Sequence, residues 1–142
     1  MSITKEEYEK VEELLEKYAK LDIDIKGYEY QIQTENIKGV LYNEMPGSPL
    51  PSNLSPVEQQ MRVIEKLKID KSILEIRKEA IENIFRILDN TERELIKLKY
   101  LQKLSNIQIA KQLHMHENSV SAKKKTVLIK LYPYAIKYKL IK

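Results

Sequence analysis

Short hydrogen-bonding side chains and lysines are concentrated between residues 103 and 125. Amide and hydroxyl groups can pair with the exposed edges of nucleic-acid bases, while ammonium groups and helix N-termini bind phosphate oxygens. The chemistry that this stretch predicts is non-covalent recognition of a nucleic acid. The expected base-reading residues are Asn118, Ser119, Ser121, Ala122 and Lys125. The expected phosphate-binding residues are Lys103, Ser105, Asn106, Gln108, Lys111, Lys123 and Lys124.

Two short helices joined by a tight turn are needed to position these side chains. Ser105 and Gln108 form a capping-box pattern, which predicts the start of the first helix. The expected core positions of the two helices are Ile107, Ile109, Ala110, Leu113, Val120, Val127, Leu128 and Leu131, with Met115 as an apolar plug in the turn. In a helix-turn-helix the N-terminal part of the second helix enters the major groove. We therefore expect a helix that begins near Glu117 to read double-stranded DNA.

A preceding helix completes the predicted three-helix module. The spacing of Thr91 and Glu94 indicates another capping box. Its apolar positions are Leu95, Ile96, Leu98 and Leu101. Two turn positions are unusual for the motif, because His116 stands where a hydroxyl residue commonly caps the second helix. His114 likewise stands where the backbone often turns through positive φ. The module is expected to span residues 89–142, with a basic and apolar tail after Pro133.

These residues resemble region 4 of bacterial sigma factors and the LuxR-type modules. The matching residues are Glu92, Arg93, Leu98, Lys99, Tyr100, Ser105, Gln108, Ile109, Ala110, Leu113, Met115, Ser119, Val120, Leu128, Lys130 and Leu131. With the long N-terminal helical region and the Met45–Pro49 segment, the chain is similar to phage late-gene transcriptional regulators of the ArpU and RinA kind. The resemblance implies transcriptional regulation of phage or prophage genes. Ser119 and Ser121 stand where sigma factors place arginines, so it does not imply a sigma-like promoter specificity.

Charge is unevenly distributed along the chain. Residues 89–142 contain 12 basic and 4 acidic side chains, a net charge of +8, whereas residues 1–88 contain 13 basic and 17 acidic side chains, a net charge of −4. The basic part is the part with the motif, as expected for a surface that meets phosphates. At about 100° per residue, the run Lys123, Lys124 and Lys125 cannot point one way. We expect Lys125 to face the groove. We expect Lys123 and Lys124 to lay their aliphatic stems on the core and to reach phosphates with their ammonium groups.

Residues 1–88 are expected to form a long helical hairpin. Thr4 and Glu7 form a capping box, and an apolar seam follows at Val11, Leu14, Tyr18, Leu21, Ile25, Tyr28 and Ile32. The composition between residues 36 and 55 predicts a Pro-rich loop, after which Ser55 and Pro56 start the next helix. That helix carries two apolar stripes, Ile64, Leu67, Leu74, Ile81, Phe85 and Leu88, and Ile69, Ile73, Ile76, Ala80, Ile84 and Ile87. Two stripes exceed what one partner helix covers, so this helix either packs on another subunit as well or bends onto the DNA-binding module. We favour the first, which predicts a homodimer or a higher homo-oligomer.

Composition argues against several other classes of protein. The chain of 142 residues has no cysteine, and the three glycines do not form a phosphate-binding loop. The two histidines do not match a zinc pair, so neither a metal, a cofactor nor an enzymatic activity is expected. The chain has neither an apolar signal segment nor an apolar run long enough for a membrane span, which indicates a cytoplasmic protein. The predicted fold class is all-α.

Two other interpretations remain open at this point. A small terminase subunit, which recognises phage DNA for packaging, also joins a helix-turn-helix to an oligomerising hairpin, and it forms a ring of many subunits. Alternatively, a degenerate helix-turn-helix can be a protein-interaction module that contacts RNA polymerase or another regulator. The second alternative predicts no DNA affinity beyond a salt-sensitive background.

Overall fold

Every element in the computed structural model, which describes residues 2–44 and 55–142, is helical. The helices are α1 (Lys5–Glu44), α2 (Pro56–Ile84), α3 (Asn90–Ile96), α4 (Asn106–Leu113) and α5 (Glu117–Lys137). A 3₁₀ turn, Phe85–Ile87, follows α2, and a π-helical segment, Lys97–Leu101, continues α3. The predicted all-α fold class is confirmed.

The chain divides into two compact units. One, here called the HTH unit, contains the residues up to Lys20 together with Arg77–Lys142, and the other, the hairpin unit, contains Leu21–Ile76. The first turns of α1 thus belong with the helix-turn-helix, because Val11, Leu14 and Leu15 are buried there. The predicted division between residues 88 and 89 instead assigned all of α1 to the hairpin.

The starts of the two long helices agree with the sequence. The Thr4 N–H donates to Glu7 Oε1 at 2.9 Å, and the Glu7 N–H donates to Thr4 Oγ1 at 3.1 Å. At the start of α2, the Ser55 hydroxyl accepts from the Glu58 N–H at 3.1 Å, and Pro56 occupies the first turn. Each side chain satisfies a backbone donor that a helix leaves unpaired at its N-terminus.

The predicted loop between residues 36 and 55 is wrong in its first part. The α1 helix continues to Glu44, through Gly39. One glycine inside a helix costs only about 1 kcal/mol, and the first proline in this stretch is Pro46, so nothing before it prevents a helix. The rest of the loop, including the Met45–Pro49 segment, lies outside the described residues.

The hairpin unit packs its part of α1 antiparallel to its part of α2. Leu21 and Ile25 are buried in the predicted seam, and Lys71 Nζ lies 3.5 Å from Glu29 Oε1 across the two helices. Nearer the connecting segment, Gln60 is buried against Gly39, where an added Cβ would collide with the Gln60 Oε1. The atoms that such a Cβ would meet all belong to the flexible end of the Gln60 side chain, so the close contact at this point is between Gly39 and that side chain.

The core of the HTH unit lies between α3, α4 and α5. The expected core residues that are buried are Leu95, Ile96, Leu98, Ile109, Ala110, Val120, Val127, Leu128 and Leu131. Two expected core residues are exposed instead, Ile107 at 54% and Leu101 at 45%. Ile107 lies about 200° from Ile109 around the helix, so the two cannot share a face. The π-helical hydrogen bond from the Gln102 N–H to the Lys97 carbonyl changes the register, and Tyr100 is buried in place of Leu101.

The capping box of α3 lies two residues before the predicted one. Asp89, not Thr91, is the N-cap, and its carboxylate accepts from the Glu92 N–H at 2.8 Å. The Glu92 carboxylate accepts from the Asp89 N–H at 3.0 Å, which completes the box. The sequence contains two overlapping patterns of this type, and an ionised carboxylate at a helix N-terminus is favoured by the helix dipole.

Asp89 makes the stability of the HTH unit depend on pH. The pKa of its carboxyl is lowered chiefly by the hydrogen bond from the Glu92 N–H, and the nearby charge of Lys123 acts in the same direction. A lowered folded-state pKa stabilises the fold above the unfolded-state value of about 4, and this contribution is lost as the pH falls through the folded-state value. We expect Asp89→Asn, which keeps an acceptor oxygen, to be less stable than the wild type at pH 7 and to approach it at pH 3. Urea unfolding midpoints followed by circular dichroism measure this. Glu94→Gln, on the same helix, is the control, and a constant difference between Asp89→Asn and the wild type at both pH values would contradict the assignment.

The tail after Pro133 is not a separate segment. The α5 helix passes through Pro133 and ends at Lys137, and Ala135 is fully buried beyond the proline. Burial on both sides of the proline offsets the loss of one backbone hydrogen bond. The chain then turns at Lys139, with φ of 58°, and Leu140 is buried while its carbonyl accepts from Arg77 Nη2 at 3.0 Å. The residues after α5 therefore dock on the HTH unit itself.

Candidate nucleic-acid interface

The first helix of the motif, α4, begins with the capping box that the sequence predicts. The Ser105 hydroxyl accepts from the Gln108 N–H at 3.3 Å, and Gln108 Oε1 accepts from the Ser105 N–H at 3.0 Å. Both side chains were expected to bind phosphate, and both are used in the cap. Backbone N–H groups in the first turn of a helix can bind phosphate oxygens. At this position the start of the helix is thus a better candidate for phosphate contact than the two side chains.

The turn between α4 and α5 depends on two histidines. His114 has φ of 55°, the left-handed conformation, and ends α4. His116 is the N-cap of α5, and its Nδ1 accepts from the Asn118 N–H at 3.1 Å. An imidazole nitrogen can accept only when it carries no proton, so the cap requires neutral His116 with its proton on Nε2. The imidazole replaces the hydroxyl cap that is usual at this position.

We expect the His116 cap to be replaceable by a hydroxyl. His116→Ala removes the acceptor and should lower the free energy of unfolding of the HTH unit by about 1 kcal/mol, whereas His116→Ser should retain most of it. Chemical denaturation of the three proteins at pH 7.5 measures the difference. Equal stability of the alanine and serine variants would show that the imidazole does not act as a cap.

An exposed face at the start of α5 carries the expected base-reading residues. All five are exposed: Asn118, Ser119, Ser121, Ala122 and Lys125. Asn118, Ala122 and Lys125 follow one another at spacings of four and three residues and therefore lie along one line of the helix. Ser119 lies about 100° from Asn118 and so points to the side of this line. The side chains near the N-terminus of the line are short, which allows close approach of the backbone to a surface.

Asn106 connects this face to the rest of the HTH unit. Its Nδ2 donates to Ser121 Oγ at 3.1 Å, and its Oδ1 accepts from Lys99 Nζ at 3.1 Å. The side chain, which was expected to bind phosphate, thus joins the π-helical segment, α4 and α5. Because Ser121 Oγ accepts this hydrogen bond, its own proton is available to an external acceptor. Asn106 is a positioning residue for the exposed face of α5.

Three of the predicted phosphate-binding lysines are accessible. Lys103 and Lys111 are exposed and Lys123 is half-buried. Lys103 has φ of 55° at the connection that leads into α4. These lysines and Lys125 come from three different stretches of the HTH unit. They are able to contact a polyanion without a change in the fold.

Lys124 does not fit its predicted role as a phosphate ligand. Its Nζ lies 2.9 Å from Glu12 Oε1 and 6.0 Å from the centre of the Tyr8 ring, and its side chain is only 18% exposed. Burial lowers the pKa of Lys124, but the hydrogen bond and the charge of Glu12 outweigh this, and the pKa is raised overall. The Tyr100 hydroxyl donates to the same Glu12 carboxylate oxygen at 3.3 Å. Lys124 lies on the core side of α5 because it follows Val120 by four residues, and it attaches α5 to α1.

Most of the chain is matched by a known protein family. The family described as "Protein of unknown function (DUF722)" matches residues 7–133, which is more than half of the chain. The chain belongs to the DUF722 family. No curated protein matches it, and no solved structure does. The match includes every residue of the DUF722 chain that is expected to contact DNA.

Within residues 2–44 and 55–142, no three His, Asp or Glu side chains come together in a way that could hold a metal ion. The two histidines that the sequence offers are both used in the turn between α4 and α5. Of the helices in the same described ranges, none is long and apolar enough to cross a membrane.

Proposed function

We propose that this DUF722 chain is a sequence-specific, double-stranded-DNA-binding transcriptional regulator in the cytoplasm, acting on phage or prophage genes without a cofactor. The α5 helix enters the major groove with its N-terminal half. The observation that carries the proposal is the exposed line Asn118, Ala122 and Lys125, with Ser121 held beside it by Asn106. This arrangement supports base reading because asparagine suits bidentate pairing with adenine and the Ser121 proton suits a base acceptor.

Phosphate contacts in the proposal come from Lys103, Lys111, Lys123 and the first turn of α4. They fix the position of the helix on the duplex and supply salt-sensitive affinity, while the line on α5 supplies the sequence preference. The +8 net charge of residues 89–142 supports this assignment. By joining subunits, the hairpin unit would bring two or more α5 helices to one DNA molecule.

The test is a gel-shift measurement with DNA fragments from the region surrounding the chain's own coding sequence, at about 150 mM salt and with excess nonspecific competitor. A discrete, competitor-resistant complex on one fragment is expected. Binding that competitor removes from every fragment would contradict sequence-specific reading. That result would favour the protein-interaction module that contacts RNA polymerase.

A second candidate function is the small terminase subunit, which recognises DNA for packaging. Exposed apolar side chains on both helices of the hairpin unit favour it, because they suit assembly of several subunits. The two functions differ in the DNA that is bound. Regulation requires a site beside a promoter, whereas packaging requires a site in the phage genome at which the DNA is cut.

A further inference from the structure

Both helices of the hairpin unit expose large apolar side chains. The α2 helix exposes Val57, Met61 and Val63 near its start. Further from the connecting segment are Ile69, Ile73 and Ile76 on α2, and α1 exposes Ile23, Tyr30 and Ile37. The exposed fractions of these last six residues range from 56% for Ile69 to 72% for Ile23. Apolar stripes of this kind on a soluble protein mark surfaces that associate.

The two stripes point away from each other. On α1 the side that faces α2 carries Leu21, Ile25 and Glu29, and at about 100° per residue Ile23 and Tyr30 lie roughly on the opposite side. The α2 helix faces α1 with Gln60 and Lys71. The α2 stripe likewise lies roughly opposite these two residues. The pair of helices therefore forms a layer with one apolar stripe on each outer edge. We call these the α1 edge (Ile23, Tyr30, Ile37) and the α2 edge (Ile69, Ile73, Ile76).

Two apolar residues of each edge lie at matching heights along the helices. Glu29 is level with Lys71, and Gly39 is level with Gln60. Tyr30 follows Glu29 by one residue and Ile69 precedes Lys71 by two, so in these antiparallel helices Tyr30 is close to the level of Ile69. Ile23 is in the same way close to the level of Ile76. A neighbouring copy rotated about an axis parallel to the helices would present its α1 edge to this α2 edge with isoleucine and tyrosine side chains opposed.

We propose that copies of this chain associate head to tail, with the α1 edge of one copy packed on the α2 edge of the next. A twofold dimer through one edge would leave the other edge in water, whereas head-to-tail contact covers both. Head-to-tail contacts give a ring where the rotation between neighbouring copies closes and an open filament where it does not, and the proposed assembly is a ring of three or more chains. The inference rests on the proposed function in one respect only, the role of the assembly, which would be to place several α5 helices along one DNA molecule. Its physical basis lies in the hairpin unit alone.

Two charge-inserting variants test the arrangement. Tyr30→Glu disrupts the α1 edge and Ile73→Glu disrupts the α2 edge, and light scattering coupled to size-exclusion chromatography gives the mass of each full-length protein. The wild type is expected to have the mass of three or more chains, and each variant that of one chain. A 1:1 mixture of the two variants is expected to form a two-chain complex, because each variant keeps the edge that the other needs. Gln31→Glu, beside Tyr30 but off the stripe, should keep the wild-type mass.

Three results would overturn the inference: a monomeric wild type at about 100 μM, a two-chain wild type that Tyr30→Glu leaves intact, or a variant mixture that stays monomeric while both variants retain wild-type helicity. Gel shifts with the Tyr30→Glu protein separate this inference from the proposed function. If the function holds and the assembly exists, the monomer still prefers the specific fragment but binds it more weakly. Wild-type assembly without any specific DNA complex would leave the ring intact and refute the function.

Discussion

Leu128→Ala is expected to lower the free energy of unfolding of the HTH unit by about 2–5 kcal/mol, the usual cost of removing a leucine side chain from a packed core. Leu128 has no exposed surface and lies on α5 beside Val127 and Leu131, which are equally buried. A small domain has a total stability of about 5–15 kcal/mol, so the loss is a large part of it. Urea unfolding followed by circular dichroism at 222 nm measures the change.

Thr126→Ala is the matched control for Leu128→Ala. Thr126 lies two residues away on α5, is exposed, and its hydroxyl only donates to the Ala122 carbonyl at 3.1 Å. Its replacement should change the free energy of unfolding by less than about 0.5 kcal/mol. A loss below 1 kcal/mol for Leu128→Ala would mean that α5 is not packed on α3 and α4 as described. Partial unfolding of the HTH unit would also weaken DNA binding on every sequence alike.

The features that the sequence predicts well depend on residues close together in the chain. Ser105 and Gln108 are three residues apart, and the cap that they form needs no information from elsewhere. The spacing of Val120, Val127, Leu128 and Leu131 in the same way defines the buried side of α5 through helix geometry alone. The exposed line of Asn118, Ala122 and Lys125 follows from that assignment, because it occupies the opposite side. Whether these residues contact DNA stays a prediction.

Features that depend on distant parts of the chain were missed. Glu12 accepts from Tyr100 and pairs with Lys124, and nothing in the local pattern of α5 indicates a partner on α1. From the sequence alone, the ammonium group of each lysine at residues 123–125 is expected to be solvent-exposed. Only the fold shows that Lys124 is the enclosed one. The sequence contains one local indication that Lys124 is enclosed. The 3.6-residue period of the helix places it on the same side of α5 as the buried Val120. The choice between the overlapping caps at Asp89 and Thr91 also depends on the wider fold, since Glu92 must be buried to meet Lys130.

Several of the sigma-like residues have structural roles. Glu92 is buried, and its carboxylate accepts from Lys130 Nζ at 2.8 and 3.0 Å. Arg93 donates from Nε to the Phe85 carbonyl at 3.2 Å, which ties α3 to the 3₁₀ turn. Glu92 and Lys130 thus hold α3 against α5, and Arg93 fixes the chain that enters α3. The resemblance in these residues accounts for the framework of the module, and it carries no information on which DNA sequence the proposed reading face would prefer.

Asn118 and Lys111 are expected to differ in how their replacement affects DNA binding. Asn118 lies on the exposed line of α5, and Asn118→Ala should reduce the discrimination at one base position by about 1–3 kcal/mol, or roughly 5- to 150-fold, while it leaves the other positions unchanged. Lys111 is exposed on α4 and is assigned to a phosphate. Lys111→Ala should weaken binding on all sequences to a similar extent and reduce the slope of log K against log salt by about 0.9.

The measurement compares both variants with the wild type on the identified fragment and on single-base substitutions of it, at salt concentrations between about 50 and 200 mM. Asn118 also donates its backbone N–H to His116, but the backbone bond survives substitution, so a change in base preference reports the side chain alone. An equal loss on every fragment for Asn118→Ala would exclude it as a base-reading residue. A base-dependent loss for Lys111→Ala would place α4 in the groove instead of on the backbone. Either result would require a different docking of the two helices, because only one of them can enter the major groove with its N-terminal residues in the geometry of this motif.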